Sequence, residues 1–482
     1  MSDGRLAGVL FLAAFLARLV MFLGTPLFGT DGGQFLWMAD RMGEARFHDA
    51  LAVTYHPMYP FLIAAARTFL GSAERAGFWI SMVLGAGAVV PLFSLARAVF
   101  GRPAAFIAAL LYAFHPYTVE LNADVMTEGT FAFFLFWAMW LGWRVLEDPS
   151  IDRAVLAALS AAAAYLTRAE GMLAMALVPA WQAVELLRRR DRWAERLGGI
   201  GLGLAAMALL VFPFLLWVRS VHPQKKWALS AKWSVTQAGE ALKVSRDDAP
   251  VPSAGYTGGR YGKLGSSMVR MMYYVGIPFY LLGLLGLRGL EWRKAFFYFS
   301  FPLLHVAGLV WALQKVPYMS YRYVVPVMNI LGVVMALGVI QSIRFLARRW
   351  PEPRWVLASQ ALVLVATALT GIRLFNAHRA DENPAREAAA WIRAQGGTVR
   401  GICTTVDQVA YLSGARLMGF PPDWPRFSET LDRKPIDYFV YTDKDLARPE
   451  PPYVGRLREY GRLEPPAEIK GGRTIYIQRV KR

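Results

Sequence analysis

Long apolar runs constrain the fold of this chain more than any other feature of its sequence. The first run, LAGVLFLAAFLARLVMFLG, occupies residues 6–24, and comparable runs recur as far as residue 375. A helix needs about 20 predominantly apolar residues to cross the hydrocarbon core of a bilayer. By that criterion the candidate spans are eleven segments: 5–23, 78–99, 104–118, 127–146, 154–167, 172–187, 198–219, 271–288, 295–313, 323–342 and 355–375. We therefore predict an all-α polytopic membrane domain over residues 1–375.

The composition agrees with a membrane protein and argues against other classes. Of 482 residues, 55% are hydrophobic and 18% are charged, whereas soluble domains carry about 25% charged residues. The net charge is +18, but Lys and Arg cluster at the ends of apolar runs, where membrane orientation and anionic lipids explain them. We expect membrane lipids as partners and no nucleic acid. The single cysteine, Cys403, excludes an intrachain disulfide.

Two stretches depart from the simple pattern of long spans. Segment 57–70, PMYPFLIAAARTFL, is too short and too rich in proline to cross, and it is typical of a helix that lies at the interface or re-enters. The run 154–187 is interrupted by Arg168 and Glu170, which favours two short spans joined by a tight turn. No cleavage site follows the first apolar run, so we expect it to be retained as a span.

The distribution of basic residues predicts the orientation. With the N-terminus inside, the short inner loops hold sixteen Lys and Arg and the short outer connections hold five, as the positive-inside rule requires. The first loop, 24–77, and the long loop 220–270 then lie outside. The tail, 376–482, also lies outside. Its helical segment ENPAREAAAWIRAQ and its β-like runs VRGICTT, IDYFVYT and TIYIQRV predict a small α/β domain.

Acidic side chains gather at the predicted outer ends of the spans. Asp31, in GTDGGQF, suits two roles: a cap for a helix from Gly32 to Met42, or a general base at the membrane surface. Asp124 and Glu128, in NADVMTEGTFAFF, share one helix face if the span begins near Asp124. Acids at a helix start also suit the macrodipole, but Glu128 lies inside the apolar run. We take Asp31, Glu128 and Asp124 as candidate catalytic residues.

A histidine and two tyrosines mark the entry to the helical segment 57–70. His56, in YHPMYP, is either an interfacial residue or a ligand of a phosphate, with the hydroxyls of Tyr55 and Tyr59 beside it. The loop 220–270 is basic and rich in glycine, which suits either a mobile cover over an anionic substrate or a segment attracted to the lipid surface. The residues of this loop that we expect at the substrate are Lys225, Lys226, Arg260 and Lys263.

Two arginines lie at other outer helix ends. Arg168, in YLTRAEGML, either pairs with Glu170 or contacts a phosphate. Arg322, in YMSYRYVVP, lies between Tyr321 and Tyr323, which form either an aromatic belt or, with the arginine, a site for a phosphate held bidentately. No cofactor is indicated with certainty. A divalent metal is possible among the outer histidines and acids, although no ligand pair has the spacing of HxxxH. The sequence contains no P-loop and no GxSxG motif, which argues against ATP-driven transport and serine hydrolysis.

The order of these motifs along the chain resembles the GT-C superfamily of integral membrane glycosyltransferases. The shared pattern is an acid after the first span, HP.YP at the next helix, an acid in VMTE, the LTRAEG turn and a late YRYVVP. Bacterial enzymes akin to protein O-mannosyltransferases and the aminoarabinose transferases of lipid A are the most similar branch. The resemblance covers essentially the whole chain, including the tail.

The resemblance implies an inverting hexosyl or pentosyl transfer. The donor would be a polyprenyl-phosphate sugar, and the acceptor a lipid, glycan or protein on the outer side of a bacterial inner membrane. Asp31 would deprotonate or orient the acceptor, and Glu128 would lie near it. His56 and Arg322 would hold the donor phosphate. Many relatives carry a second acid directly after the first, whereas here Asp31 is followed by two glycines and Gln34.

Two other classes remain as alternatives. A transporter or flippase of lipid-linked sugars needs a polar path across the membrane, but the predicted spans carry almost no ionisable groups at mid-depth apart from His305. A membrane scaffold that binds a partner through its tail leaves Asp31, Glu128 and His56 without a common purpose. Transfer is the favoured function because it uses all three.

Overall fold

The computed structural model describes residues 2–481 apart from 26, 52–54, 190, 222–259, 273–275, 316–319, 350–356, 358–382, 421–423 and 448–453. The helices of the membrane part are α1 (Asp3–Leu23), α2 (Thr30–Gly43), α3 (Phe47–Leu51), α4 (Met58–Leu70), α5 (Ala73–Gly87), α6 (Val89–Phe100), α7 (Arg102–Phe114), α8 (Pro116–Asn122), α9 (Glu128–Glu147), α10 (Ile151–Thr167), α11 (Met172–Arg188), α12 (Trp193–Val221), α13 (Arg260–Met271), α14 (Ile277–Leu285), α15 (Trp292–Lys315) and α16 (Val325–Arg349). Short 3₁₀ turns lie at Ala169–Gly171 and Tyr321–Tyr323.

The tail contributes a second set of elements. Its helices are α17 (Pro384–Ala394), α18 (Asp407–Leu412), α19 (Trp424–Arg433) and α20 (Asp443–Ala447), with a 3₁₀ segment at Val454–Glu459. Its strands are β1 (Gly401–Thr404), β2 (Arg416–Met418), β3 (Tyr438–Thr442), β4 (Ala467–Ile469) and β5 (Ile475–Arg479).

The long apolar runs form membrane-spanning helices, as predicted. Within the described ranges, six spans are long and apolar enough to cross a bilayer. One of them is the nearly continuous pair α5 and α6, and the other five are α1, α9, α12, α15 and α16. The count rises to seven if α7 and α8, which meet at a 56° bend, are one broken span. Helices α10 and α11, with 17 residues each, form the two predicted short segments on either side of Arg168. The chain is a multi-pass helical membrane protein.

Two predicted segments differ from the structure, and a third lies almost entirely outside the described residues. The predicted span 271–288 is not continuous, because α13 ends at Met271 and α14 has only nine residues. The predicted loop 220–270 is shorter than expected, because its last eleven residues, 260–270, belong to the helix α13. The predicted span 355–375 lies, except for residue 357, outside the described residues.

Helix α10 packs against both α9 and α12 and sets the position of the turn that follows it. Its buried face is built largely from alanines, among them Ala157, Ala161 and Ala164. Small side chains allow membrane helices to approach closely. The helix therefore ends at a fixed place, with Thr167 buried and Arg168 directly after it.

The tail folds around a five-stranded sheet with the order β2-β1-β3-β5-β4. Strand β1 pairs in parallel with β2 and β3, whereas β5 pairs in antiparallel fashion with β3 and β4. The predicted helix and the three predicted β-like runs are α17, β1, β3 and β5. Strands β2 and β4 were not predicted, because three residues are too few to show a period.

The tail domain docks on the first loop through α18, which packs against α2. Buried residues of both elements, such as Leu36 and Val409, belong to one apolar cluster. Hydrogen bonds join the surfaces: among them, the Gln408 amide donates to Phe28 O (3.3 Å), and the Tyr411 hydroxyl donates to the Asp40 carboxylate (3.1 Å). We call the end of the helical bundle that carries α2 and α18 the covered end.

Candidate active site

Asp31 lies inside the first turn of α2 and does not cap it. The helix begins at Thr30, and its N-cap, Gly29, makes no side-chain cap bond, so the capping interpretation is wrong. The Asp31 carboxylate instead accepts hydrogen bonds from the Tyr55 hydroxyl (3.0 Å) and from Arg322 Nη1 (2.5 Å). Its side chain is 30% exposed. The carboxylate is therefore held by two donors and remains partly open to solvent.

Glu128 is the first residue of α9, and its side chain is 3% exposed. Its Oε1 accepts from Arg322 Nε (2.7 Å) and from Arg168 Nη1 (2.8 Å). A buried carboxylate is tolerated only when cations and hydrogen bonds replace its water. The two arginines supply that replacement and fix the position of the acid.

Asp124 does not join this ionic group in the way predicted. Helix α9 begins at Glu128, so Asp124 and Glu128 do not share a helix face. Asp124 Oδ1 accepts from the backbone N–H of Gly29 (2.9 Å) and of Val125 (2.7 Å). Asp124 thereby ties the segment before α9 to the residue at the start of α2. This contact lies two residues before Asp31.

Arg168 lies at the turn between α10 and α11. Its Nη1 donates to Glu128 and to the hydroxyl of Thr127 (3.2 Å), and its Nη2 donates to Glu170 (2.9 Å). The predicted Arg168–Glu170 pair is therefore present. Burial would raise the pKa of Glu170, but attraction to Arg168 and its hydrogen bond outweigh burial and lower that pKa to about 2.

The glycine of the LTRAEG sequence makes this tight turn possible. A Cβ atom on Gly171 would lie 2.2 Å from the backbone nitrogen of Tyr165. No side chain fits in that space, so glycine alone allows the turn to fold back on α10. The arginine and the glutamate are consequently presented together at the covered end.

Arg322 lies in the 3₁₀ turn before α16 and joins the two acids. It contacts Asp31 through Nη1 and Glu128 through Nε, and its Nη2 has no hydrogen-bond partner among the described residues. Its side chain is 21% exposed. Burial would lower the pKa of the guanidinium, but Glu128 and Asp31 raise it, so the group stays cationic. Arg322 is thus a cation held in place by two acids, and its Nη2 remains as a further hydrogen-bond donor.

His305, the ionisable residue predicted at mid-depth, supports the same turn. Its Nε2 lies 2.8 Å from Tyr323 O, so the imidazole hydrogen-bonds the backbone of the turn that carries Arg322. The Arg168 guanidinium lies over the Tyr323 ring, with its Cζ atom 5.8 Å from the centre of the ring. Both contacts stabilise the arginines at the covered end.

Two of the remaining predicted residues, His56 and Tyr59, are buried. His56 is buried with its ring against Tyr165 (5.2 Å) and Phe214 (5.4 Å). Tyr59 is fully buried, and its hydroxyl contacts Gly77 O and Ser81, which fits a structural role.

Tyr321 and helix α13 adjoin the Arg322 turn. The Tyr321 hydroxyl donates to Glu120 (3.3 Å), and its ring lies under Arg270 of α13. The predicted substrate residues Arg260 and Lys263 belong to α13, with Lys263 half-buried. Lys225 and Lys226 lie outside the described residues.

Three residues with clear contacts were missed by the sequence reasoning. Thr127 adjoins Glu128 and accepts from Arg168. Arg18 is fully buried in α1 and donates to Ala14 O (2.8 Å) and Ala113 O (3.3 Å); a charged residue inside an apolar run was the signal. Asp407 of the tail lies 373 residues from Gln34, to which it is hydrogen-bonded. No local pattern marks that contact.

A metal site was left open by the sequence. Within the part of the chain that the structure describes, no group of three or more His, Cys, Asp or Glu side chains is placed to hold a metal ion. Asp31 and Glu128, two of the outer acids, have the Arg322 guanidinium between them.

A helical membrane domain carries paired acids and arginines at one end, where a small α/β domain covers it. The chain has the GT-C glycosyltransferase fold, and the resemblance inferred from the motifs is confirmed at that level. Residues 54–217 match the profile of the family described as dolichyl-phosphate-mannose-protein mannosyltransferase. No curated protein sequence matches the chain.

Solved structures agree with this classification. ArnT from Cupriavidus metallidurans, in crystals with bound undecaprenyl phosphate, aligns with 99% of this chain and 98% of its own at 16% identity, with a TM-score of 0.60. The oligosaccharyltransferase of Archaeoglobus fulgidus, in a complex with Zn and sulfate, aligns with 90% of this chain and 68% of its own at 12% identity, with a TM-score of 0.56. At such identities the likeness establishes the fold.

Proposed function

We propose that the protein is an inverting glycosyltransferase. It moves a sugar from a polyprenyl-phosphate-linked donor to an acceptor at the outer face of a bacterial inner membrane. The observation that carries this proposal is the position of Arg322, which holds the exposed Asp31 and the buried Glu128 together and keeps Nη2 for a third anion. The donor is also supported by the undecaprenyl phosphate bound to the similar ArnT fold.

The reaction follows from the charges at the covered end. The acceptor hydroxyl or amine attacks the anomeric carbon, its proton passes to Asp31, and the bond from that carbon to the phosphate oxygen breaks. The phosphate leaves as an anion, and Arg322 Nη2 stabilises the charge that develops on it. We also propose His56 as a second contact for the phosphate. The proposal therefore assigns the acceptor proton to Asp31 and the phosphate charge to Arg322.

Glu128 and Arg168 act through Arg322. Glu128 binds Nε of Arg322 at 2.7 Å, and Arg168 binds the same oxygen of Glu128 at 2.8 Å. Because Arg168 is only 10% exposed and donates to Glu128, Thr127 and Glu170, it is better suited to fixing Glu128 than to contacting a phosphate. This arrangement prepares the cation before the donor binds.

The acceptor class is the less constrained part of the proposal. An oligosaccharyltransferase of the same fold was crystallised with a tethered acceptor peptide, and the mannosyltransferase family is named for a protein acceptor. A lipid, a glycan and a protein are therefore all to be tested.

The test is sugar transfer by the purified protein in liposomes. Radiolabelled sugars on polyprenyl phosphate are supplied with membrane lipid, glycan and protein acceptors, and wild type is compared with Asp31→Asn. We expect Asp31→Asn to lose a factor of about 10²–10⁴ in rate, the usual contribution of a general base. The control is Asp49→Asn, an exposed acid of the same loop, which should keep the wild-type rate. An Asp31→Asn variant as active as wild type contradicts the catalytic role, and donor flipping without transfer supports a flippase.

A further inference from the structure

The tail domain reaches the start of α2 through Asp407, the first residue of α18. The Gln34 amide donates to the Asp407 carboxylate at 3.2 Å. A Cβ on Gly33 would lie 3.4 Å from Asp407 O, which is van der Waals contact. Gly33 and Gln34 follow Asp31 by two and three positions. The tail therefore contacts the turn of helix that presents the base.

The contact also brings a second carboxylate to the electrostatic surroundings of Asp31. Among the described residues, Arg322 and Tyr55 hydrogen-bond Asp31, and Asp407 interacts with it electrostatically. These three groups come from three different parts of the chain. Burial raises the pKa of Asp407, the Gln34 hydrogen bond lowers it, and repulsion by Asp31 raises it further. The charge of Asp407 likewise contributes to raising the pKa of Tyr55, after burial and Asp31.

This second acid matters because the other neighbours of Asp31 weaken it as a base. Hydrogen bonds from Arg322 and Tyr55 stabilise an ionised carboxylate and so reduce its affinity for a proton. A nearby negative charge has the opposite effect. The sequence carries glycine, glycine and glutamine after Asp31, so no second acid directly follows Asp31 in the sequence.

We propose that Asp407 is a positioning residue of the active site, which holds the first turn of α2 through Gln34 and increases the basicity of Asp31 through its charge. This inference rests on the proposed glycosyl transfer and assigns the tail domain a part in it. Asp407 acts on Asp31 and not on the substrate.

The first test is the pH profile of transfer by Asp407→Asn. We expect kcat to fall roughly threefold to tenfold, and the acid limb of the profile to move about 0.5–1 unit to lower pH, because a repelling charge has been removed. Asp407→Glu keeps the charge and should keep the wild-type limb. Glu468→Gln, which removes an exposed acid of the same domain on β4, should change neither quantity.

A third variant separates charge from docking. Gln34→Ala removes the hydrogen bond but leaves the charge of Asp407, so it should lower kcat without moving the acid limb. If Asp407→Asn and Gln34→Ala have the same profile, or if Asp407→Asn matches wild type, the electrostatic role is wrong.

The second test does not depend on activity. Thermal midpoints of wild type, Asp31→Asn, Asp407→Asn and the double variant form a cycle that measures the repulsion between the two carboxyls. We expect the shifts to be non-additive at pH 7. Additive shifts at pH 7 overturn the inference. If wild type transfers no sugar and the cycle is non-additive, the proposed function fails while the coupling of Asp407 to Asp31 stands.

Discussion

Arg322 is the cation on which the acidic side chains of the site depend, and replacing it with glutamine should destabilise the protein. The ion pairs connect three acids and two arginines: Asp31, Glu128, Glu170, Arg168 and Arg322. The three negative and two positive charges give this group a formal charge of −1. Arg322→Gln changes that charge to −2. Because Glu128 is 3% exposed, water cannot compensate for the loss.

The expected size of the effect follows from burial. Removing one partner of a fully buried ion pair costs about 3–5 kcal/mol. Arg322 is 21% exposed, Asp31 is 30% exposed, and Glu128 keeps its bond to Arg168, so solvent screening and the remaining cation reduce the cost to about 2–3 kcal/mol. An unfolding entropy of about 2.1 cal/mol/K per residue gives roughly 1 kcal/mol/K for a chain of 482 residues. The thermal midpoint should therefore fall by about 2–3 °C.

The assay is thermal unfolding of the purified protein in detergent, followed by tryptophan fluorescence. The decisive variant is Arg322→Gln combined with Glu128→Gln, which returns the group to −1 and should recover at least half of the loss. The control is Arg192→Gln, which removes an exposed cation paired with Asp148 and Glu195 and should leave the midpoint almost unchanged. The reasoning is refuted if Arg322→Gln is as stable as this control, or if the double variant is less stable than Arg322→Gln.

Three further predictions concern the side chains and the turn around Arg322. Tyr55→Phe removes the 3.0 Å hydrogen bond to Asp31, so initial transfer rates should fall roughly tenfold; wild-type rates would show that the bond does not position the base. The pKa of Glu170 is lowered to about 2 in the folded protein, so its stabilisation is full above pH ~4.5 and is lost as the pH falls towards 2. Glu170→Gln should therefore show a flatter decline of the unfolding midpoint between pH 5 and pH 2, and an identical decline would contradict the pairing. Gly171→Ala places a Cβ 2.2 Å from the backbone of α10 and should lower the thermal midpoint by several degrees, whereas Gly201→Ala, with nothing within 4 Å, should not; equal midpoints would refute the steric argument.

Much of the membrane fold follows from composition, because apolar runs of sufficient length have few alternatives to forming spans. The positions of α1, α9, α12, α15 and α16 were therefore predictable. The break between α13 and α14 was not, because a run of apolar residues does not record where a helix is interrupted.

The site was predictable as a set of residues but not as a set of contacts. Asp31, Glu128, Arg168 and Arg322 were each singled out because a charge at a helix end in a membrane protein needs an explanation. Which acid pairs with which arginine depends on how the helices pack. The same limit explains Asp124, whose spacing from Glu128 suggested a shared helix face, although α9 begins only at Glu128.

The docking of α18 on α2 also sets the order in which the protein is assembled. Gln34 and Asp407 are 373 positions apart, so at synthesis rates of roughly 5–20 residues per second the first loop leaves the ribosome about 20–75 s before its partner. Contacts between such distant segments form late, because the intervening chain must be closed into a loop first. During that interval α2 stays uncovered while the later helices insert. We expect newly made chains to insert into the bilayer before the tail domain has folded and docked on α2. Folding of the tail domain then decides when each molecule becomes active.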